Sequence, residues 1–150
     1  MLLRTLRPDL NPPSADTMAR VIQKEFENIR IQVRNKLADV HCKISLTLDC
    51  WTSEVNTKSF LGVSAHWISN WRMQEIILDF VDLSGIAHTG INLAKALEHL
   101  IDDMQLSNKI LSIVVDSTSN NDSLFEKLQY DEIHQVRCFG HVLNLVVQGI

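Results

Sequence analysis

Residues 110–116 read Ile-Leu-Ser-Ile-Val-Val-Asp. Apart from Ser112, everything before the aspartate is apolar and mostly β-branched. That is the pattern of a strand buried on both faces of a sheet, and it predicts a parallel strand with helices as neighbours. The flanking sequence supplies them. Upstream, Thr89 is placed to cap a helix whose apolar positions are Leu93, Leu97, Leu100, Ile101 and Met104. Downstream come a polar loop at 117–121, a short helix at 122–129, a strand at 133–138 and a final helix from about Phe139 to Ile150 with no C-cap signal. The chain is therefore expected to stop inside an element.

A second segment, Lys43-Ile-Ser-Leu-Thr-Leu-Asp49, also ends in aspartate. Its period is two. Ile44, Leu46 and Leu48 point one way and Ser45, Thr47 and Asp49 the other, so it is a half-buried strand. An alternating run follows at about 57–68 (Leu61, Val63, Ala65, Trp67), then a turn at Ser69-Asn70 and a third strand at 73–82, with short connections throughout. Short connections imply antiparallel hairpins. The order predicts an α/β fold: one mixed sheet of three antiparallel strands followed by two parallel strands with crossover helices.

Before the sheet, Ser14 follows Pro12-Pro13 and offers an N-cap. Met18, Val21, Ile22, Phe26, Ile29, Val33 and Leu37 then recur in steps of three and four. This predicts a long amphipathic helix over roughly 14–38, either packed on the following sheet or free to bind a partner. Residues 1–13 hold all three prolines and read as an extended leader.

Composition narrows the function classes. Lys plus Arg number 14 and Asp plus Glu 18, a net charge of −4, which excludes a histone-like basic binder. Hydrophobic residues make up 45% and charged residues 21%, an ordinary globular balance. Three cysteines, Cys42, Cys50 and Cys138, do not make a disulfide framework and suit a reducing compartment. No apolar run reaches the roughly 18 residues of a membrane span, and no secretory signal is legible.

The two strand-terminal aspartates are the chemical signal. If the first and fourth strands lie side by side and parallel, Asp49 and Asp116 meet at one edge of the sheet, where open α/β sheets bind ligands. Two carboxylates there repel unless a cation lies between them. Hard Mg²⁺ or Mn²⁺ suits such oxygen donors and supports phosphodiester chemistry. Either aspartate alone is equally a turn or helix cap. Cys138-x-x-His141 is half a zinc site, or else a buried strand end and a first-turn histidine bonded locally. Trp51 reads as a core anchor ahead of a base-stacking platform, and His66 and His99 show no partners that make them catalytic.

Three motifs carry a family resemblance. Asp49-Cys50-Trp51-Thr52-Ser53 resembles the D-x-W-T-S signature of hAT-superfamily transposases. ILSIVVDSTSNN (110–121) and RCFGHVLNL (137–145) resemble two further stretches of that superfamily, in the same order. The resemblance covers about residues 10–150 and implies an RNase H-like catalytic core. It implies that Asp49 and Asp116 are the first two members of an Asp-Asp-Glu triad holding Mg²⁺ or Mn²⁺. It also implies DNA (transposon ends) as partner, the nucleus as location, and Cys138 and His141 as a C-x-x-H pair of unclear role. Ser117 and Thr118 replace the usual Asn and Ala. No acidic residue stands in 139–150 to serve as the third ligand, and no C-x-x-C marks a BED-type finger. The expectation is a partial RNase H-like core over 14–138, followed at 139–150 by the start of a truncated helical insertion. Such a chain is inactive alone, and its apolar final helix invites self-association. The alternative is a non-catalytic domesticated module that binds DNA or protein.

Overall fold

The computed structural model describes residues 12–53, 58–87, 89–116, 123–128, 130 and 133–149. Most of the expected leader, the loop at 117–121 and His88 lie outside the described residues. The chain divides into two compact units, Met1–Asn35 and Lys36–Ile150.

The first unit is helical. Helix α1 spans Ala15–Ala38, and the N–H of Thr17 donates to the Ser14 hydroxyl at 3.2 Å, the cap expected after Pro-Pro.

The second unit holds the sheet. Strands β1 (Ile44–Thr52), β2 (Ser59–Ser69) and β3 (Arg72–Asp82) are followed by helix α2 (Gly90–Asp103), β4 (Ile110–Val115), β5 (His134–Arg137) and helix α3 (Phe139–Gln148). The spatial order is β3-β2-β1-β4-β5. β1 pairs with β2, and β2 with β3, antiparallel. β1 pairs with β4, and β4 with β5, parallel. This is the mixed, RNase H-like order expected from the sequence. A hydroxyl pair, Ser112 Oγ donating to Ser45 Oγ at 2.9 Å, joins β1 to β4 at matched positions.

The core lies on one side of the sheet. Ile44, Leu46 and Leu48 of β1, Leu61, Val63, Ala65 and Trp67 of β2, and Ile113 and Val115 of β4 are buried with Leu93, Leu97 and Ile101 of α2. Each of the buried Val, Leu and Ile side chains contributes roughly 1.5–3 kcal/mol by leaving water. Thr89 caps α2, its hydroxyl accepting from the N–H of Asn92 at 3.4 Å. Gly90 opens the helix because the chain at 123–124 crosses there. A Cβ on Gly90 would lie 2.5 Å from the Ser123 carbonyl carbon and 2.6 Å from the Leu124 nitrogen.

Two expectations need correction. β4 is not buried on both faces: Leu111 is exposed, and Ser112 and Val114 on the second face are half-buried. An irregularity between Ile44 and Ser45 shifts the pairing by one residue and turns Leu111 outward. The β2–β3 register also slips, between Val63 and Ser64; Leu78 is the extra residue, and the parity reverses after it, so Ile77 before it and Phe80 after it both face out. The final helix does have a C-cap. Gly149 adopts a left-handed φ of 73° directly after Gln148.

Within the second unit, Lys109 ties the segment 37–40, which leads into β1, to the sheet. Its ammonium donates to the carbonyls of Leu37 (2.9 Å), Ala38 (2.7 Å) and Val40 (2.9 Å). A cation at a helix C-terminus meets carbonyls that have no partner within the helix. Replacing Lys109 by Met keeps the stem and removes the donors. It should lower the unfolding free energy by about 1–2 kcal/mol in urea titrations. Gly90→Ala should cost about 1–3 kcal/mol by overpacking, read as a shift of the denaturant midpoint with an unchanged slope.

Candidate functional site

The β1–β4 pairing brings the two aspartates together. Thr47 pairs with Val114, and the same register carried on by two residues sets Asp49 level with Asp116. Neighbouring strands lie about 4.8 Å apart, so the carboxylates share one edge of the sheet. Asp49 is exposed and Asp116 half-buried.

Cys50 reports the combined charge of the pair. Its thiol is pushed above the ordinary thiol range, first by desolvation, then by the negative charges of Asp116 and of Asp49. Cys50 is exposed as a residue, so the desolvation is partial and the two carboxylates matter alongside it. Both act on one thiol from opposite sides of the β1–β4 seam.

Cys138 joins the same edge. Val115 pairs with Arg137, which sets Cys138 level with Asp116, and the Cys138 N–H donates to the Val115 carbonyl at 2.7 Å. Cys138 is half-buried and stands at the N-cap of α3 without a side-chain cap bond. His141, also half-buried, sits in the first turn of α3. Among the described residues no group of three or more His, Cys, Asp or Glu is arranged to hold a metal ion. The Cys138–His141 pair therefore has no second ligand pair among them, and Asp49 and Asp116 stand as a pair of oxygen donors.

Trp51 is not a core anchor. Its ring lies on the second face of the sheet, two residues beyond Asp49, and the residue is 40% exposed. It packs between Phe60 and Phe80, with ring centroids 5.8 Å away in each case and the Phe80 contact edge-on. Gly62 makes room for it. A Cβ there would come 3.1 Å from Trp51 Cζ3. Thr47, Asp49, Trp51, Gly62, Ser64 and Phe80 line a shallow depression of about 240 Å³. Asp49 is thus bordered on one side by Asp116 and on the other by an aromatic wall.

Sequence reasoning missed the partners of His66. Its Nε2 lies 3.1 Å from Ser64 Oγ, and its Nδ1 lies 4.0 Å from Glu75 Oε2. His66 pairs with Glu75 across the hairpin, a cross-strand relation that single-strand periodicity does not reveal. Among the described residues no helix is long and apolar enough to cross a membrane.

Neutralising the carboxylates should free the thiol. In a background with Cys42 and Cys138 replaced by Ser, Asp116→Asn or Asp49→Asn should speed iodoacetamide alkylation of Cys50 at pH 8 by about two- to fivefold. The sign follows from the charges: removing a negative neighbour lowers the thiol pKa and raises the thiolate fraction at fixed pH. Mass-spectrometric alkylation rates check it.

The ZBED1 RNase-like domain family matches residues 47–141, a span that contains every residue of this edge. The chain is 31% identical over 144 residues to "Putative transcriptional regulator tpeD" of Talaromyces stipitatus, covering 89% of this chain and 17% of that protein. It is 30% identical over 159 residues to "Putative AC transposase" of Zea mays, covering 97% of this chain and 20% of that protein. Similarity extends at 21% identity over 160 residues to "Zinc finger BED domain-containing protein RICESLEEPER 3" of Oryza sativa subsp. japonica, covering 97% and 21%. The chain spans about a fifth of the length of these relatives.

Proposed function

The chain belongs to the ZBED1 RNase-like domain family of hAT-superfamily transposase-like proteins, and on that premise we propose that Asp49 and Asp116 are two carboxylate ligands of a divalent cation that engages DNA phosphate. The observation that carries this reading is the level register of the two aspartates across the parallel β1–β4 pair. Like charges at adjacent strand ends gain from a cation between them. Exposed carboxylate oxygens suit Mg²⁺ or Mn²⁺, which keep several waters and bind through one or two carboxylates plus phosphate.

When bound, such an ion polarises a phosphodiester oxygen and acidifies a coordinated water. This chain's residues do the rest. Asp49 and Asp116 hold the cation at the carboxyl edge of the sheet. Trp51, packed over Gly62 and against Phe80, stiffens the end of β1 two residues beyond Asp49. The backbone N–H of Cys138, bonded to Val115, keeps the start of α3 beside Asp116.

In the longer proteins of this family, the site would serve metal-dependent cleavage and strand transfer at transposon ends, in the nucleus. The 150-residue chain offers two acidic ligands and should hold the ion weakly, in the millimolar range or above. A second reading, a DNA- or protein-binding module without cleavage, draws support from the lack of a three-ligand cluster among the described residues. The exposed side of α3, with Phe139, Val146 and Val147, would be its surface for self-association.

Mn²⁺ titration followed by electron paramagnetic resonance tests the site. The parent chain should take up the ion, and Asp49→Asn with Asp116→Asn should abolish the uptake. Equal uptake by parent and variant would overturn the metal assignment. Supercoiled DNA incubated with the parent chain and Mn²⁺ should stay uncut. Nicking that Asp49→Asn abolishes would show that this chain cleaves unaided.

A further inference from the structure

The tip of the β2–β3 hairpin carries a side chain that the fold does not need. Its turn residues, Asn70 and Trp71, have left-handed φ values of 51° and 61°. Two-residue hairpin turns of this kind favour Asn-Gly. Asn70 fits the pattern. Trp71 does not, since a bulky side chain is strained in that region. Packing does not compensate, because Trp71 is 99% exposed. Ile68 and Met73, paired with each other directly behind the turn, are also exposed. Three apolar side chains therefore stand in water at one end of the sheet.

Cations lie on both faces of this end of the sheet. Arg72 is next in the chain. Lys43 comes level with Ile68 when the β1–β2 register, Ser45 with His66, is carried back by two residues, and its exposed ammonium spends one donor on the Asn108 carbonyl at 3.3 Å. The Lys36 ammonium lies over the Trp67 ring, 5.5 Å from its centroid. These outnumber the nearby carboxylates of Asp39 and Glu75. The opposite end of β1 is the acidic edge with Asp49 and Asp116. The sheet is thus polarised along its strands.

We propose that this tip is a DNA contact in which Trp71 stacks on an unpaired or unstacked base while Arg72, Lys43 and Lys36 meet the flanking phosphates. An exposed aromatic among cations is the chemistry of base stacking with phosphate neutralisation. The charge balance favours a polyanion over an apolar protein partner. The contact lies roughly 20 Å from the carboxylate edge, since six residues of β1 at about 3.3 Å each separate Lys43 from Asp49. The inference rests on the DNA reading proposed above, and it uses the end of the sheet which that reading leaves idle.

The test measures fluorescence anisotropy of the 150-residue chain against a labelled duplex with one unpaired base, at about 50 mM salt, with and without Mg²⁺. Thermal unfolding is measured in parallel. Trp71→Gly relaxes the turn and removes the ring, so it should unfold at a higher temperature yet bind DNA about tenfold more weakly. Trp71→Phe should keep most of the affinity. Arg72→Gln should lower the slope of log affinity against log salt by about one. Parent-level binding by Trp71→Gly would overturn the tip assignment and leave the carboxylate reading standing. Absence of DNA binding by the parent in both buffers would overturn both. Conversion of a parent dimer to a monomer by Trp71→Gly in sedimentation, with DNA affinity unchanged, would assign the tip to protein contact and overturn the proposal.

Discussion

Parallel pairing between β1 and β4 is the contact on which the rest of the sheet domain depends. It joins strands that the β2–β3 hairpin and α2 separate in sequence. The closure cost of so long an intervening segment rises only slowly with its length. Burial of Leu46 beside Ile113 offsets it. The register has a chemical consequence. A slip of one residue would send Asp49 to the core face and destroy its match with Asp116. The Ser45–Ser112 hydroxyl bond and the alternating burial of β1 both oppose that slip.

Placing two carboxylates side by side costs free energy unless water or a cation screens them. The fold puts them where solvent reaches, at the strand ends rather than beneath α2. The Cys50 thiol beside them is pushed up first by desolvation and then by the charges of Asp116 and Asp49. On the far side of Asp49, Trp51 packs against Phe60 and Phe80 on the second face, made possible by the missing side chain at Gly62. One edge therefore combines acidic donors, an aromatic wall and the start of α3. The other end of the same strands carries a strained tryptophan among cations.

Much of this was legible in the sequence. The period of two in 44–48, the long 3.6-residue stripe after Ser14 and the Thr89 cap are local signals, and local sterics and hydrogen bonding decide them. The strand order followed from short connections between the first three strands and helices around the fourth. The pairing of Asp49 with Asp116 was legible only as a consequence of that order. What failed depended on neighbours in space. Trp51 looked like core because tryptophan is usually buried, yet strand parity puts it on the same face as Asp49. Leu111 looked buried, but a shifted register turned it out. The Glu75 carboxylate beside His66 was not legible, because β3 brings it there across the hairpin. Gly149 was a local signal simply overlooked.

By itself the sequence determined the elements, their order and the residue types at the ends of β1 and β4. Those follow from periodicity, capping and turn chemistry, which act within a few residues of chain. Only the tertiary structure decided which aspartates stand level, which face receives Trp51 and where the cations of residues 36, 43 and 72 gather. The physical reason is register. Strand pairing joins residues far apart in sequence through backbone hydrogen bonds that are indifferent to side-chain identity, so alignment emerges from the packing of the whole sheet.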